Sequence, residues 1–114
     1  MINPVKIAVD AMGGENSPEK VIEGVSIHSS ESNEVTYNIF GDKNLIEPLI
    51  KKYNISENVY SLNHTDKLID DNDSALSAAK KGKQTSLWLA IESLKNNNSD
   101  AIISAGNTGA LFVI

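Results

Sequence analysis

Two short apolar segments, each running into a glycine turn, constrain this chain more than anything else in it. The first is Lys6-Ile7-Ala8-Val9-Asp10-Ala11-Met12-Gly13-Gly14. The second is Asp100-Ala101-Ile102-Ile103-Ser104-Ala105-Gly106-Asn107-Thr108-Gly109-Ala110. Each strand ends in a polar residue followed by small ones, and each turn leads into a helix start. In an open α/β sheet the carboxyl ends of parallel strands form the ligand crevice. Glycine lets the backbone approach a ligand closely, and a helix N-terminus presents unpaired N–H groups to an anion. Two such turns point to a phosphate-like or acyl ligand held mainly by backbone.

Between the turns, helical and strand patterns alternate. Val5 to Met12 is a nearly continuous apolar run, as a buried parallel strand requires. Ser17-Pro18 fits an N-cap followed by proline at the first helical position, and Val21, Ile22 and Val25 give that helix an apolar face to about Ser29. Val35 to Phe40 reads as a second strand, closed by Gly41-Asp42. Leu45, Ile46, Leu49, Ile50 and Tyr53 recur at helical spacing, with Pro48 in tension beyond the first turn. Val59 to Leu62 is a short third strand. Ser74 to Lys80 reads as a short helix. Leu87, Ala90, Ile91 and Leu94 form the clearest amphipathic stripe, ended by Asn96-Asn97-Asn98. Ala101 to Ser104 is the fourth strand. The order β-α-β-α-β-α-β predicts an α/β fold: three αβα layers around a mostly parallel, Rossmann-like open sheet.

Composition narrows the function classes. The 114 residues fit one domain, and 40% hydrophobic with 22% charged residues is an ordinary globular balance. With no cysteine there is no disulfide, zinc-thiolate site or cysteine nucleophile, which fits a reducing cytoplasm. A net charge of −5 with mixed signs argues against nucleic acid, which needs a basic face. No apolar run reaches the roughly 18 residues of a membrane span, and Met1-Ile2-Asn3-Pro4 opens no signal peptide. Neither G-x-G-x-x-G nor G-x-x-x-x-G-K-[ST] occurs. Asp70-Asp71-Asn72-Asp73 lacks the spacing of a calcium loop, so no metal site is read. His28 and Trp88 read as structural residues. Leu111-Phe112-Val113-Ile114 opens a helix without completing it, so residues 1–114 are read as the first part of a larger domain, and the chain alone is expected to be an incompetent catalyst.

At Ala8-Val9-Asp10-Ala11-Met12-Gly13-Gly14 and Ser104-Ala105-Gly106-Asn107-Thr108-Gly109-Ala110-Leu111 the sequence resembles the bacterial acyl-ACP:phosphate acyltransferase (PlsX) family. His64-Thr65-Asp66 is similar to that family's His-Ala-Asp/Glu turn after the third strand. Asp73 falls on a usual aspartate, and Lys80-Lys81-Gly82-Lys83-Gln84-Thr85-Ser86-Leu87 on a basic run ending in Ser-Ser-Met. The resemblance covers essentially the whole chain. Glu15 stands where aspartate is usual and Lys80 where arginine is common, and Gly82 interrupts the basic run. Lysine lacks arginine's planar fork for two-point oxyanion binding. The family's chains are about three times longer.

The resemblance implies a reaction. A fatty acyl group passes from acyl carrier protein to inorganic phosphate, giving an acyl phosphate for phospholipid biosynthesis. Such chemistry needs an anion cradle, oxyanion donors and an apolar acyl groove. It needs no metal, nicotinamide or other cofactor. The residues placed at the reacting carbonyl are Asn107, whose amide orients it, and Thr108, whose hydroxyl donates to it. Gly106 and Gly109 supply backbone N–H groups beside them. The substrate-binding set also takes in Asp10, Gly13, Gly14, His64, Lys80, Lys83 and Ser86. Asp10, which cannot attract phosphate, is assigned to holding a basic residue or the loop. No general base is evident. The implied partners are acylated carrier protein, phosphate, a second copy in a homodimer and a membrane acyltransferase at the inner face of the membrane. Two non-enzymatic readings stand beside this one: a stand-alone anion-binding module, and a remnant of the acyltransferase.

Overall fold

The computed structural model describes residues 4–66 and 85–104. In chain order these form β1 (Val5–Asp10), α1 (Glu19–Glu31), β2 (Val35–Gly41), α2 (Lys43–Lys52), a 3-10 turn (Glu57–Val59), β3 (Tyr60–His64), α3 (Ser86–Lys95) and β4 (Ala101–Ser104). The four strands make one parallel sheet in the order β3-β2-β1-β4. The predicted α/β class and parallel sheet are therefore the observed ones.

Alternation along the strands places a core on each face of the sheet. Val9, Tyr37 and Ile39 turn one way and meet Ile22 and Val25 of α1 and Ile46 and Ile50 of α2. Ala8 and Phe40 turn the other way and meet Ala90 of α3, with Leu89 and Ile102 packed alongside. The result is three layers. Connectivity explains which helix lies where. The steps β1 to β2 and β2 to β3 move in one direction, so right-handed crossovers put α1 and α2 on one face. The step from β3 back past β1 to β4 reverses direction and puts α3 on the other. Ile22, Ile39 and Ile46 are fully buried, each contributing roughly 1.5–3 kcal/mol.

Polar contacts fix the register of β4. The Lys6 N–H donates to the Asp100 carboxylate at 2.9 Å, and the Asp100 N–H donates to the Lys6 carbonyl at 2.6 Å. Asn38 of β2 donates to the Asn98 carbonyl and to the Ser99 hydroxyl, both at 2.9 Å. Ser93 and Ser99 share a hydrogen bond of 2.6 Å. Asn97, at φ 61°, turns the chain out of α3. The asparagine triplet thus ends the helix as expected, and its neighbours tie the exit loop to the sheet.

Four boundaries depart from the sequence reading. Ser17 does not cap α1: its hydroxyl donates to the Gly13 carbonyl, closing the glycine turn, and Pro18 takes the cap position. Helix α1 runs to Glu31, beyond Ser29. Helix α2 continues through Pro48, its sixth residue of ten. Val59 belongs to the 3-10 turn, and β3 runs from Tyr60 to His64. The short helix expected over Ser74 to Lys80 lies outside the described residues. Among the described residues no helix is long and apolar enough to cross a membrane.

Candidate functional site

The chain leaves β1 for β2 on one side and returns to β4 on the other, so the direction of strand order reverses at β1. That reversal opens the crevice in which α/β sheets bind ligands, at the carboxyl ends of the strands. Asp10 ends β1 there, directly beside Ser104 at the end of β4. Asp10 is 2% exposed. Oδ1 accepts the Ser86 hydroxyl at 2.5 Å and the Met12 backbone N–H at 3.2 Å, and Oδ2 accepts the Ser104 hydroxyl at 2.8 Å. A buried carboxylate is costly unless its lone pairs are filled. Here three donors from three segments fill them: the β1 turn, the first residue of α3 and the last residue of β4.

The β1 turn is folded tightly against this point. The Ala11 N–H extends the ladder by one bond to the Phe40 carbonyl, at 3.0 Å. Gly13 is buried. Gly14 has φ 89°, a conformation that favours glycine. At the start of α3, Thr85 accepts the Trp88 N–H at 3.2 Å.

The neighbouring helix start is closed. An α-helix leaves its first four N–H groups without intrahelical partners. In α2 the chain itself supplies partners for three of them, and the first intrahelical bond follows at Ile46. The Lys43 N–H donates to His64 Nδ1, and the Asn44 N–H to the Asp42 carboxylate, each at 3.0 Å. The Leu45 and Ile46 N–H groups both donate to the Asp42 carbonyl at 3.0 Å. The donors of Lys43, Asn44 and Leu45 are thus already taken by the chain itself. His64 Nδ1 accepts, so the neutral ring carries its proton on Nε2. The residue is exposed at the carboxyl end of β3.

Away from the crevice, Lys52 of α2 pairs with Glu19 of α1 at 2.6 Å, and Tyr53 donates to Glu23 at 3.0 Å. The hydrogen bond from Lys52, then its charge, holds Glu19 below the usual carboxylate range. The same bond raises Lys52. Burial raises the Tyr37 phenol, which is hydrogen-bonded to His28. His28 is thus a structural contact between α1 and β2. Trp88 donates to Glu92 one turn along α3 at 3.2 Å. Among the described residues no group of three or more His, Asp or Glu side chains could hold a metal ion.

Known proteins share this chain's sequence along its whole length. The model of a family described as "Fatty acid synthesis protein" matches residues 5–114. The chain belongs to that family. It is 51% identical over 110 residues to a "Phosphate acyltransferase" of Pelagibacter ubique, covering 96% of this chain and 32% of that protein. It is 41% identical over 108 residues to a protein of the same name from Enterococcus faecalis, covering 95% of this chain and 31% of the other. A third, from Beijerinckia indica, is 36% identical over 115 residues, covering all of this chain and 30% of the other. The chain spans about a third of the length of these curated relatives.

Of the residues singled out in sequence, the structure brings together Asp10, Gly13, Gly14 and Ser86. His64 sits at the outer strand, against the start of α2. Ser86 is 2% exposed and its hydroxyl hydrogen is directed to Asp10. Lys80, Lys83, Gly106, Asn107, Thr108 and Gly109 lie outside the described residues. The sequence reading passed over Ser104 as a side chain of interest. Its signal was present: both strands end in a polar residue, and aligning those ends pairs Asp10 with Ser104. It also passed over Gly41, where an added Cβ would lie 2.6 Å from Ile46 Cδ1 and 2.9 Å from Met12 Cγ. An apolar groove of about 360 Å³ runs along α1, lined by Ile7, Val9, Val21, Val25 and Ile103, on the face of the sheet opposite α3.

Proposed function

We propose that this chain is the N-terminal portion of a single phosphate acyltransferase domain, which transfers a fatty acyl group from acyl carrier protein to inorganic phosphate. The observation that carries the reading is the 51% identity, across 110 residues, to a protein named phosphate acyltransferase. The crevice supports it, because β1 and β4, the two strands whose sequences run on into glycine-bearing segments, end side by side in the parallel sheet. A phosphate oxygen attacks the thioester carbonyl carbon and a tetrahedral oxyanion forms. The oxyanion collapses as the carbon–sulfur bond breaks, releasing the carrier's thiolate and an acyl phosphate.

In this reading the backbone N–H groups of Gly106 to Gly109 and the Thr108 hydroxyl stabilise the oxyanion, and Asn107 orients the carbonyl. Gly13 and Gly14 allow the β1 turn to approach phosphate closely. Lys80 and Lys83 supply charge to phosphate or to the acidic carrier. Ser86 serves through its position rather than its hydroxyl proton, which is already directed to Asp10. His64 offers Nε2–H as a donor at the rim. The same proposal takes a homodimer as the working unit, the cytoplasm as its location and a membrane acyltransferase as the consumer of the product.

The test uses the protein encoded by the full reading frame, with acylated carrier protein and phosphate. Acyl phosphate is trapped with hydroxylamine. Turnover is expected in the unmodified protein, and a folded Gly109→Val variant should lose at least about 100-fold in kcat, the range for a lost oxyanion donor. Phosphate binding without acyl phosphate formation would replace the reading with a non-catalytic anion-binding module. Near-normal turnover in the valine variant would remove the turn after β4 from the site.

A further inference from the structure

The apolar groove along α1 begins at the crevice. A helix that joins two parallel strands runs back along them, so the first turn of α1 lies beside the carboxyl end of β1. Asp10, the last residue of β1, and Lys20, in the first turn of α1, line the groove at that end. Its walls are Ile7 and Val9 of β1, Val21 and Val25 of α1 and Ile103 of β4. Ile103 is 53% exposed there. At the other end lie His28 and Tyr37, hydrogen-bonded to each other. Gly24 sits midway along the α1 wall. After proline, glycine is the poorest residue for a helix interior. Crowding does not demand it here: an added Cβ would meet no described atom within 4 Å. What the glycine does is leave the groove open at its middle, where a side chain would narrow it.

We propose that this groove takes the fatty acyl chain of the substrate, with the carbonyl end at the crevice and the methyl end toward His28 and Tyr37. The inference rests on the acyltransferase reading above, and it supplies the apolar groove that such chemistry needs. A volume of about 360 Å³ falls within the range of small-ligand clefts, about 300–1,000 Å³. The arrangement of polarity suits an alkyl chain. Polar side chains stand only at the two ends, and the walls between them offer no hydrogen bond. At the crevice end the Asp10 carboxylate is already met by its three donors. Length agrees as well. From Lys20 to His28 the helix advances about 12 Å. An extended chain gains roughly 3.5 Å for every three bonds, so about ten carbons fit before the His28–Tyr37 pair. Continuity with the crevice is what favours an acyl chain over a packed segment of protein, which has no need to start at the reacting end of the sheet.

The experiment uses the full-reading-frame protein with carrier protein loaded with hexanoyl, decanoyl or palmitoyl chains, and compares kcat/KM between them. Burying one methylene is worth about fourfold. In the unmodified protein kcat/KM should therefore climb steeply from hexanoyl to decanoyl and level off toward palmitoyl. A hexanoyl chain ends near Gly24, whereas a decanoyl chain passes it. Gly24→Phe should thus lower the decanoyl-to-hexanoyl ratio of kcat/KM by at least about tenfold. Thermal melts identify which variants fold. An unchanged ratio in folded Gly24→Phe, or a flat profile from hexanoyl to decanoyl in the unmodified protein, would overturn the inference. Should Gly24→Phe fail to fold, Gly24→Leu is read in the same way. Position 24 is exposed, so a loss of folding in both variants would mean that the rest of the polypeptide fills the groove, and would also overturn the inference. A failure of the functional reading itself is distinguishable, because the unmodified protein would then turn over none of the three substrates.

Discussion

Gly41 shows how little space this fold leaves at the crevice edge. It ends β2, and its carbonyl accepts the Thr65 N–H at 2.9 Å. A methyl group added there would meet Ile46 Cδ1 at 2.6 Å and Met12 Cγ at 2.9 Å. Ile46 is fully buried and cannot swing aside. Gly41→Ala should therefore destabilise by about 1–3 kcal/mol, read as a lowered urea midpoint. The closest clash is with a single methyl, so Ile46→Val should relieve it. The double variant should lose less than the sum of its two singles. Asp10 stands at the other extreme of legibility. Its place beside a turn is plain in the sequence, but its partners Ser86 and Ser104 are far along the chain. Neither hydroxyl carries a local mark that it will face a carboxylate.

At the scale of elements, periodicity carried most of the reading. The stripe Leu87, Ala90, Ile91 and Leu94 became α3, and Ala101 to Ser104 became β4, because apolar spacing records which face is buried. Ends were harder to read where one residue had two competing uses. Ser17 was free either to cap α1 or to close the Gly13 turn, and the turn took it. Pro48 was expected to resist a helix, yet α2 passes through it. Pro48 is exposed, while Ile46 and Ile50 on the other side are buried. Burial outweighs the missing N–H. Pro48→Ala should restore a bond to the Asn44 carbonyl and stabilise by about 1–2 kcal/mol, the helix-interior penalty less the entropy proline removes from the unfolded chain. The same two-helix layer sets an acid limb of stability. Glu19 is lowered from 4.5 chiefly by its hydrogen bond to Lys52. Its contribution is present above 4.5 and is lost as pH falls through the lower folded value. Glu19→Gln should make the melting temperature fall slightly less as pH drops below 4.5, and added salt should shrink the difference because the pair is exposed.

For the molecule as a whole, fold class and layer order were legible because alternating strand and helix patterns admit few topologies. The crevice was legible as a location, since strand ends and glycine turns mark it. Its internal wiring was not, because hydrogen bonds spanning most of the chain leave no periodic trace. The same topology has a consequence before the native state exists. β1 is synthesised first yet lies in the middle of the sheet, between β2 and β4. Val5 finds Val35 soon, but Lys6 waits for Asp100, 94 residues later. During translation the β4-facing edge of β1 has no native partner until almost all of these residues have emerged. Long-range parallel pairing is slow to nucleate and exposes apolar edges meanwhile. The central strand of the sheet is thus completed by the last of these strands to be made.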